Sequence, residues 1–319
     1  MKRIGVIGLA GMGEARLKCF AAREDVQIAA VCTRNESLLA DRAAAFGVAA
    51  ATTDWESLVN DDSLDGVCIC TPNNLHYPMA TAALKAGLDV LLEYPLAISL
   101  DEVEGLRQTV GQTGRVLHMG MTTRQEPQQL AIKERLATLG EPVTAEGQLC
   151  WPEIWKWSAR DEVMGSFFAL ANCHLADQLV DLYGAPAWVS GSLWKRRNAD
   201  GTNAQASGGM FFGYDSGFSA HVVYSMALPG LDEFMRFRLV HTDGAIEFRG
   251  GVLTLEQNGQ TETIDLPAGD DGTSADTDVF LAAMDDPASV MDIDTMAIST
   301  RLCLLAERSA ANAGVRETL

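Results

Sequence analysis

Two side chains stand out for proton chemistry, the Tyr94 phenol and the His174 imidazole. Tyr94 lies between Glu93 and Pro95, directly after the apolar run Val90-Leu91-Leu92. A phenol of ordinary pKa near ~10 is at neutral pH a proton donor or a hydrogen-bond anchor, not a ready base. That biases the position toward reduction, in which the group that accepts hydride must also gain a proton. The alternative for Tyr94 is an aromatic packing residue that orients a flat ring beside it. His174 precedes Asp177 by three residues, so on a helix the carboxylate can reach and orient the imidazole. A satisfied structural histidine is the other reading.

A glycine-rich turn, Gly8-Leu9-Ala10-Gly11-Met12-Gly13, follows the apolar run ending at Ile7 and opens a helix-forming stretch. In that setting backbone N–H groups at a helix N-terminus hold a pyrophosphate, which marks Gly8, Ala10, Gly11, Met12 and Gly13 as dinucleotide-binding candidates. Ala10 departs from the usual middle glycine, and Gly11 beside it offers the backbone freedom instead. Some 20 residues on, the second strand ends in Thr33-Arg34-Asn35, with no carboxylate for ribose hydroxyls. A hydroxyl and a guanidinium suit a 2′-phosphate, so NADP(H) is expected over NAD(H). Arg34 as a plain solvated side chain is the competing view.

Arg124 follows the last strand of the first half and is placed to bind a substrate carboxylate bidentately or to form an interdomain salt bridge. Trp151, Trp155 and Trp157, with Lys156, are the densest aromatic cluster. They either wall a planar ligand or pack as core. His118, His221 and His241 have no ligand spacing and are read as structural; no metal site is argued.

These residues need a scaffold. Strand-like runs at 4–7, 26–32, 64–70, 90–93 and 116–121 alternate with helical stretches at 14–23, 36–46, 75–86 and 99–111, the grammar of a doubly wound parallel sheet. From about residue 122 it changes: after a helix near 128–139, runs at 143–151, 187–196, 209–226, 234–241, 244–248 and 251–256 read mainly as strands of a largely antiparallel open sheet. Residues 268–278 read as a polar, glycine-containing loop and 295–312 as the closing helix. The expectation is an α/β chain of two domains, a Rossmann domain over 1–121 and an α+β substrate-binding and oligomerisation domain over 122–319, its last helix packing back on the first.

Composition narrows the function classes. The 319 residues carry 43 acidic and 24 basic side chains, a net charge of −19 that repels phosphate backbones and anionic lipid. The odd number of scattered cysteines, seven, suits reduced cytoplasmic thiols. No stretch approaches the roughly 20 apolar residues of a membrane span, and glycines interrupt the apolar start.

Three further segments carry a resemblance: Cys70-Thr71-Pro72-Asn73-Asn74-Leu75-His76, then Ala86 through Pro95, then Gly165 through Asp177 with His174. In order and spacing the chain resembles the glucose-fructose oxidoreductase, inositol dehydrogenase and rhizopine-catabolism (Gfo/Idh/MocA) family over nearly its whole length. The resemblance implies that Thr71, Pro72, Asn73 and His76 line the dinucleotide cleft, that Glu93 faces the nicotinamide ribose and that Tyr94 stands beside the ring. It also implies substrate contacts from Arg124, Trp155, Trp157, Asn172, His174 and Asp177 in a cleft between the domains, and a homodimer or homotetramer. Two positions depart from it. The usual Glu-Lys-Pro is Glu93-Tyr94-Pro95, and the aspartate normally four residues before the histidine is Leu170. The Glu-Tyr-Pro triplet and Gly114 to His118 locally resemble biliverdin reductases, whereas Thr123-Arg124 with His174 is similar to semialdehyde dehydrogenases. The expected activity is NADPH-dependent reduction of a carbonyl, imine or conjugated small molecule, with Tyr94 or His174 as proton donor. Dehydrogenation of a sugar-like or hemiacetal substrate, and a non-catalytic dinucleotide sensor or scaffold, are the alternatives.

Overall fold

The computed structural model describes the chain except residues 229, 231, 232, 269, 270 and 290. In chain order the first part runs β1 (Lys2–Ile7), α1 (Met12–Ala21), β2 (Val26–Cys32), α2 (Glu36–Phe46), β3 (Ala50–Thr52), α3 (Trp55–Val59), β4 (Gly66–Ile69), α4 (His76–Lys85), β5 (Asp89–Glu93), α5 (Leu100–Thr113) and β6 (Leu117–Gly120). Then follow α6 (Pro127–Leu136), β7 (Pro142–Trp151), α7 (Asp161–Met164), α8 (Phe167–Ala171), α9 (Cys173–Tyr183), β8 (Trp188–Arg197), β9 (Asn203–Gly213), β10 (Ser219–Met226), β11 (Phe234–His241), β12 (Gly244–Arg249), β13 (Val252–Gln257) and β14 (Gln260–Ile264). The chain closes with α10 (Thr273–Asp285), α11 (Ile293–Ala311) and β15 (Glu317–Thr318).

Strands β1 to β6 form one parallel sheet in the order β3-β2-β1-β4-β5-β6. Every residue of β4, β5 and β6 is buried, as a sheet covered on both faces requires. Local signals set the helices. Asn35 caps α2 by accepting from Leu38 N, and Gly47 ends it at φ 65°. Ser99 Oγ accepts from Glu102 N at the start of α5, while Glu102 returns a carboxylate oxygen to Ile98 N at 3.0 Å.

The second sheet has nine strands, ordered β14-β13-β12-β11-β7-β10-β9-β8-β15, antiparallel except where β10 runs beside β7. The single run expected over 209–226 is two strands, β9 and β10. They are separated by a turn at Asp215-Ser216-Gly217, where Gly217 takes φ 88° and donates to Tyr214 O.

The two compact units do not follow one cut of the chain. Gly272–Ala297 joins Met1–Thr122, and the second unit is Thr123–Asp271 with Ile298–Leu319. The polar loop expected over 268–278 is from Thr273 onward the helix α10; Gly269 and Asp270 of that loop lie outside the described residues. Its polar first turn hides an apolar stripe: Phe280, Leu281 and Ala283 bury in the same core as Ile4, Leu17, Phe20 and Val31. The closing helix, α11, joins the second unit from Ile298 onward, where Ser309 Oγ accepts from Gly191 N at 3.0 Å. Among the described residues no helix is long and apolar enough to cross a membrane.

Candidate functional site

The strand order of the first sheet reverses direction between β1 and β4, and the glycine turn lies there, at the carboxyl end of β1. Gly8 has φ 87°, and a Cβ on it would lie 2.1 Å from the Cys70 carbonyl oxygen; one on Gly13 would lie 1.8 Å from the Gly8 carbonyl oxygen. Both positions therefore exclude side chains, which draws the start of α1 tight against the ends of β1 and β4. Gly11 caps α1 at φ 51° with open space around it. Ala10 and Met12 are exposed beside it. This turn fits a dinucleotide phosphate pair: a helix N-terminus, no blocking side chains, and main chain that approaches closely. At the end of β2, Thr33 is half-buried and Arg34 exposed, while Asn35 is committed to capping α2.

The Glu93-Tyr94-Pro95 turn leaves the carboxyl end of β5 with a cis peptide bond before Pro95 and the phenol half-buried. Glu93 is buried, and its Oε1 accepts from Arg16 Nε at 2.8 Å. Arg16, on α1, is fully enclosed. Its other nitrogens donate to Asp276 Oδ2 at 2.7 Å, Thr277 Oγ1 at 2.9 Å and Thr273 O at 3.1 Å, all on α10. His118 Nε2 lies 2.9 Å from the other Asp276 oxygen. Burial opposes the Arg16 charge, but Glu93 and Asp276 outweigh it and hold the guanidinium above its ordinary value. Burial raises the Glu93 pKa against the pull of Arg16, whereas His118 and Arg16 overcome burial at Asp276 and lower it. Gly120, on β6, makes room for the pair: a Cβ there would lie 2.5 Å from an Arg16 nitrogen.

Thr71 and Pro72 are half-buried and Asn73 buried in the turn after β4. His76, expected to line the cleft, is instead buried between two carbonyls. Its Nδ1 lies 2.7 Å from Pro95 O and its Nε2 2.8 Å from Thr71 O. Each ring nitrogen lies against a main-chain carbonyl, and the neutral ring donates its one N–H to one of the two, so the residue sits between the Tyr94 turn and the Thr71 segment. Burial lowers its pKa, and the two carbonyls act the other way.

In the second unit Arg124 and Asp177 pair with each other. Arg124 donates bidentately to Asp177 at 2.6 and 2.8 Å and reaches Asp181 at 3.3 Å. Asp181 also accepts from Lys133 and Gln129, each at 2.7 Å. Asp177, nearly inaccessible, therefore faces Arg124, and burial still raises its pKa against that partner. His174 is half-buried at the start of α9, and desolvation lowers its pKa to about 4. With that pKa the ring is neutral at pH 7. Asn172, between α8 and α9, is fully buried, and neither atom of its carboxamide has a hydrogen-bond partner among the described residues. The indoles form a half-buried array: Trp155 and Trp157 lie parallel within 1° at 6.1 Å between centroids, and Trp151 tilts against Trp155 at 5.7 Å.

Arg16, Asp276 and Gly120 escaped the sequence reading. A signal for Arg16 was present: Gly13, Arg16, Leu17 and Phe20 form the buried stripe of α1, at the spacing of one helical face, and an arginine there needs buried anions. Asp276 offers no such cue, because the polar, glycine-containing sequence around it reads as a loop rather than as the start of α10.

Residues 2–121 match the family described as "Oxidoreductase family, NAD-binding Rossmann fold" of the GFO/IDH/MocA group, and residues 130–247 match the "GFO/IDH/MocA C-terminal domain". The chain is 29% identical to a D-xylose 1-dehydrogenase (NADP(+)) of Haloferax volcanii over 76% of its own length and 74% of that protein. It is 31% identical to the 4-carboxy-2-hydroxymuconate-6-semialdehyde dehydrogenase of Sphingobium sp., over 42% of each chain. Its fold is similar to biliverdin reductase from Synechocystis sp. PCC 6803, solved with biliverdin and NADP+, with a TM-score of 0.90, 22% identity and coverage of 97% and 99% of the two chains.

Proposed function

Since the chain belongs to the GFO/IDH/MocA family of NAD(P)-dependent oxidoreductases, we propose that it reduces a carbonyl, imine or conjugated small molecule with NADPH, Tyr94 supplying the proton. The observation that carries this reading is a half-buried phenol at the end of β5, together with a His174 ring held neutral. An imidazole with a pKa of about 4 is a weak acceptor for an alcohol proton and, uncharged at pH 7, has no spare proton to give. A phenol donates at that pH.

When bound, the dinucleotide supplies the hydride. The protein's part is to seat the phosphates on the Gly8–Gly13 turn, with Thr33 and Arg34 receiving a 2′-phosphate and Thr71, Pro72, Asn73 and Glu93 flanking the remainder. Tyr94 donates its phenolic proton to the oxygen or nitrogen of the reduced group, and the phenolate regains one from water. On the substrate side, Asn172 offers a donor and an acceptor awaiting a polar group, and Trp155 and Trp157 offer a flat apolar wall. Arg124 and Asp177 act here as internal support for the helix that carries His174.

The dehydrogenase reading keeps one specific support, the xylose and semialdehyde dehydrogenases among the relatives. The test is NADPH binding followed by turnover of biliverdin, sugar ketones, imines and aromatic semialdehydes, with Tyr94→Phe as comparator. Reduction that Tyr94→Phe leaves at full rate refutes the proton role. Tight NADPH binding without turnover favours a sensor, and failure to bind either dinucleotide overturns the reading altogether.

Cytoplasmic residence follows from the same reading, since all seven cysteines are free. Self-association is also part of it: Trp194 and Phe211, 52% and 39% exposed, share one face of the second sheet. A monomer mass by light scattering refutes it.

A further inference from the structure

The phenol of Tyr94 belongs to a short turn whose two flanking residues are each anchored by a buried contact from elsewhere in the first unit. On the near side, Glu93 is fixed by Arg16, and Arg16 is fixed in turn by Asp276 and Thr277 from a helix some 260 residues away in sequence. On the far side, the Pro95 carbonyl is 2.7 Å from His76 Nδ1, whose other nitrogen is 2.8 Å from Thr71 O. Neither anchor touches the phenol's neighbours by apolar packing alone. Both use directional hydrogen bonds from enclosed charged or polar groups, which fix orientation more sharply than dispersion contacts do.

We propose that Arg16 with Asp276 and, separately, His76 form a two-sided brace that sets the position of the Tyr94 phenol, and are positioning residues for it.

Three features support a positioning role over simple stabilisation. Nearly the full donor set of Arg16 is used, on four different acceptors, and one of these is the residue next to Tyr94. β6 carries a glycine where any side chain would push into the Arg16–Glu93 pair, so the strand is shaped around it. His76 is wedged between the Pro95 and Thr71 carbonyls and donates its one N–H to one of them, so an enclosed polar ring fills the space between the Tyr94 turn and the segment assigned to the dinucleotide. A displacement of about 1 Å at a reacting group is enough to cost ~100-fold in rate, which gives such a brace something to do. The proposal rests on the reading that Tyr94 stands at the dinucleotide.

A test free of any substrate uses the full chain labelled with 13C at the tyrosine Cζ. The five tyrosines give five signals, and Tyr94→Phe identifies the one that belongs to Tyr94. In the wild type, NADPH is expected to shift that signal. Asp276→Asn, which keeps the shape but removes the charge and turns one of the two engaged oxygens into a donor, and His76→Gln, which keeps at most one of two contacts, are expected to move or broaden the Tyr94 signal and abolish its response to NADPH. The other four signals should stay in place, and the NADPH dissociation constant, read by fluorescence, should stay within about threefold, under 1 kcal/mol. A Tyr94 signal that responds in both variants as in the wild type overturns the brace alone. Loss of NADPH binding, or movement of all five signals, shows a role in the fold and overturns it too. No response of Tyr94 to NADPH in the wild type refutes the placement of Tyr94 at the dinucleotide, and the brace with it.

Discussion

Replacing Arg124 with methionine separates a substrate anchor from an internal ion pair. Arg124 makes two short bonds to Asp177, whose side chain is 1% exposed, and a longer one to Asp181. Asp181 keeps Lys133 and Gln129 after the change, so the group left alone is Asp177. Removing one partner of a buried pair typically costs ~3–5 kcal/mol, which for a chain of this size corresponds to a fall in Tm of about 4–8 °C. The loss must also depend on pH. Burial already raises the Asp177 pKa above the ordinary carboxylate value, with Arg124 restraining it, and loss of Arg124 raises it further. The folded state then holds a proton that the unfolded state releases, so the variant's stability falls as pH rises through that window and recovers as pH falls. Denaturant unfolding of wild type, Arg124→Met and Arg124→Met/Asp177→Asn between pH 5 and 8 reads this out. The double variant should regain most of the loss, because it carries no uncompensated buried charge. An Arg124→Met protein as stable as the wild type at pH 8, with KM raised at least ~10-fold, would refute the ion-pair reading and restore Arg124 as a carboxylate anchor.

Three further outcomes are expected. Arg34→Ala should weaken NADPH binding by about 10-fold or more and leave NADH unchanged, as loss of a charge-assisted phosphate contact of ~1.5–3 kcal/mol requires; equal losses for both dinucleotides sink the phosphate role. Gly13→Ala should abolish NADPH binding in a fluorescence titration because its Cβ meets main chain at 1.8 Å, whereas Gly11→Ala, with open space, should pay only backbone strain of ~1–3 kcal/mol. His174 has a folded pKa of about 4 against an ordinary 6.5, so the unfolded chain takes up its proton first on acidification and stability falls by up to ~1.4 kcal/mol per pH unit across that window. His174→Gln should flatten that slope in pH-dependent melting, and an unchanged slope would show that the ring titrates normally.

The first sheet was legible because parallel strands buried on both faces read as continuous apolar runs, and because Gly47 and Gly87 follow the ends of two of its helices. The antiparallel sheet was legible more coarsely: β9 and β10 merged because glycines and serines blur their alternation, and β14 was missed because four of its five residues are exposed and polar. At the candidate site the local motifs were visible, but their partners were not. A spacing of three residues suggested that Asp177 serves His174, yet the carboxylate turns to Arg124, 53 positions earlier. His76 looked like a cleft residue because of its motif, yet both nitrogens point at main chain. Long-range pairing of charges is set by packing between elements, and no local pattern encodes it.

The two departures from the dehydrogenase pattern, Tyr94 and Leu170, gain weight from where Asp177 goes. With leucine four residues before His174, Asp177 was the remaining nearby carboxylate on the same helical face able to hold a charged imidazole. It faces a guanidinium instead, and the ring sits in surroundings that lower its pKa to about 4. A base so weakened accepts the proton of an alcohol poorly, and a ring without charge has no proton to return. The phenol has neither restriction in the reductive direction. Its flanking residues are also the ones the first unit invests in most heavily, through a buried arginine, two buried carboxylates and a histidine shared between two carbonyls. Buried charges of this kind are costly unless paired, and in the first unit the Arg16 group bears on the residue that precedes Tyr94. Lysine at position 94 would bring an additional cation beside Glu93, whose carboxylate Arg16 already occupies. Tyr94→Lys should therefore fail to restore sugar-alcohol oxidation; if it does restore it, the site is a dehydrogenase with one residue exchanged, and the reductive reading falls.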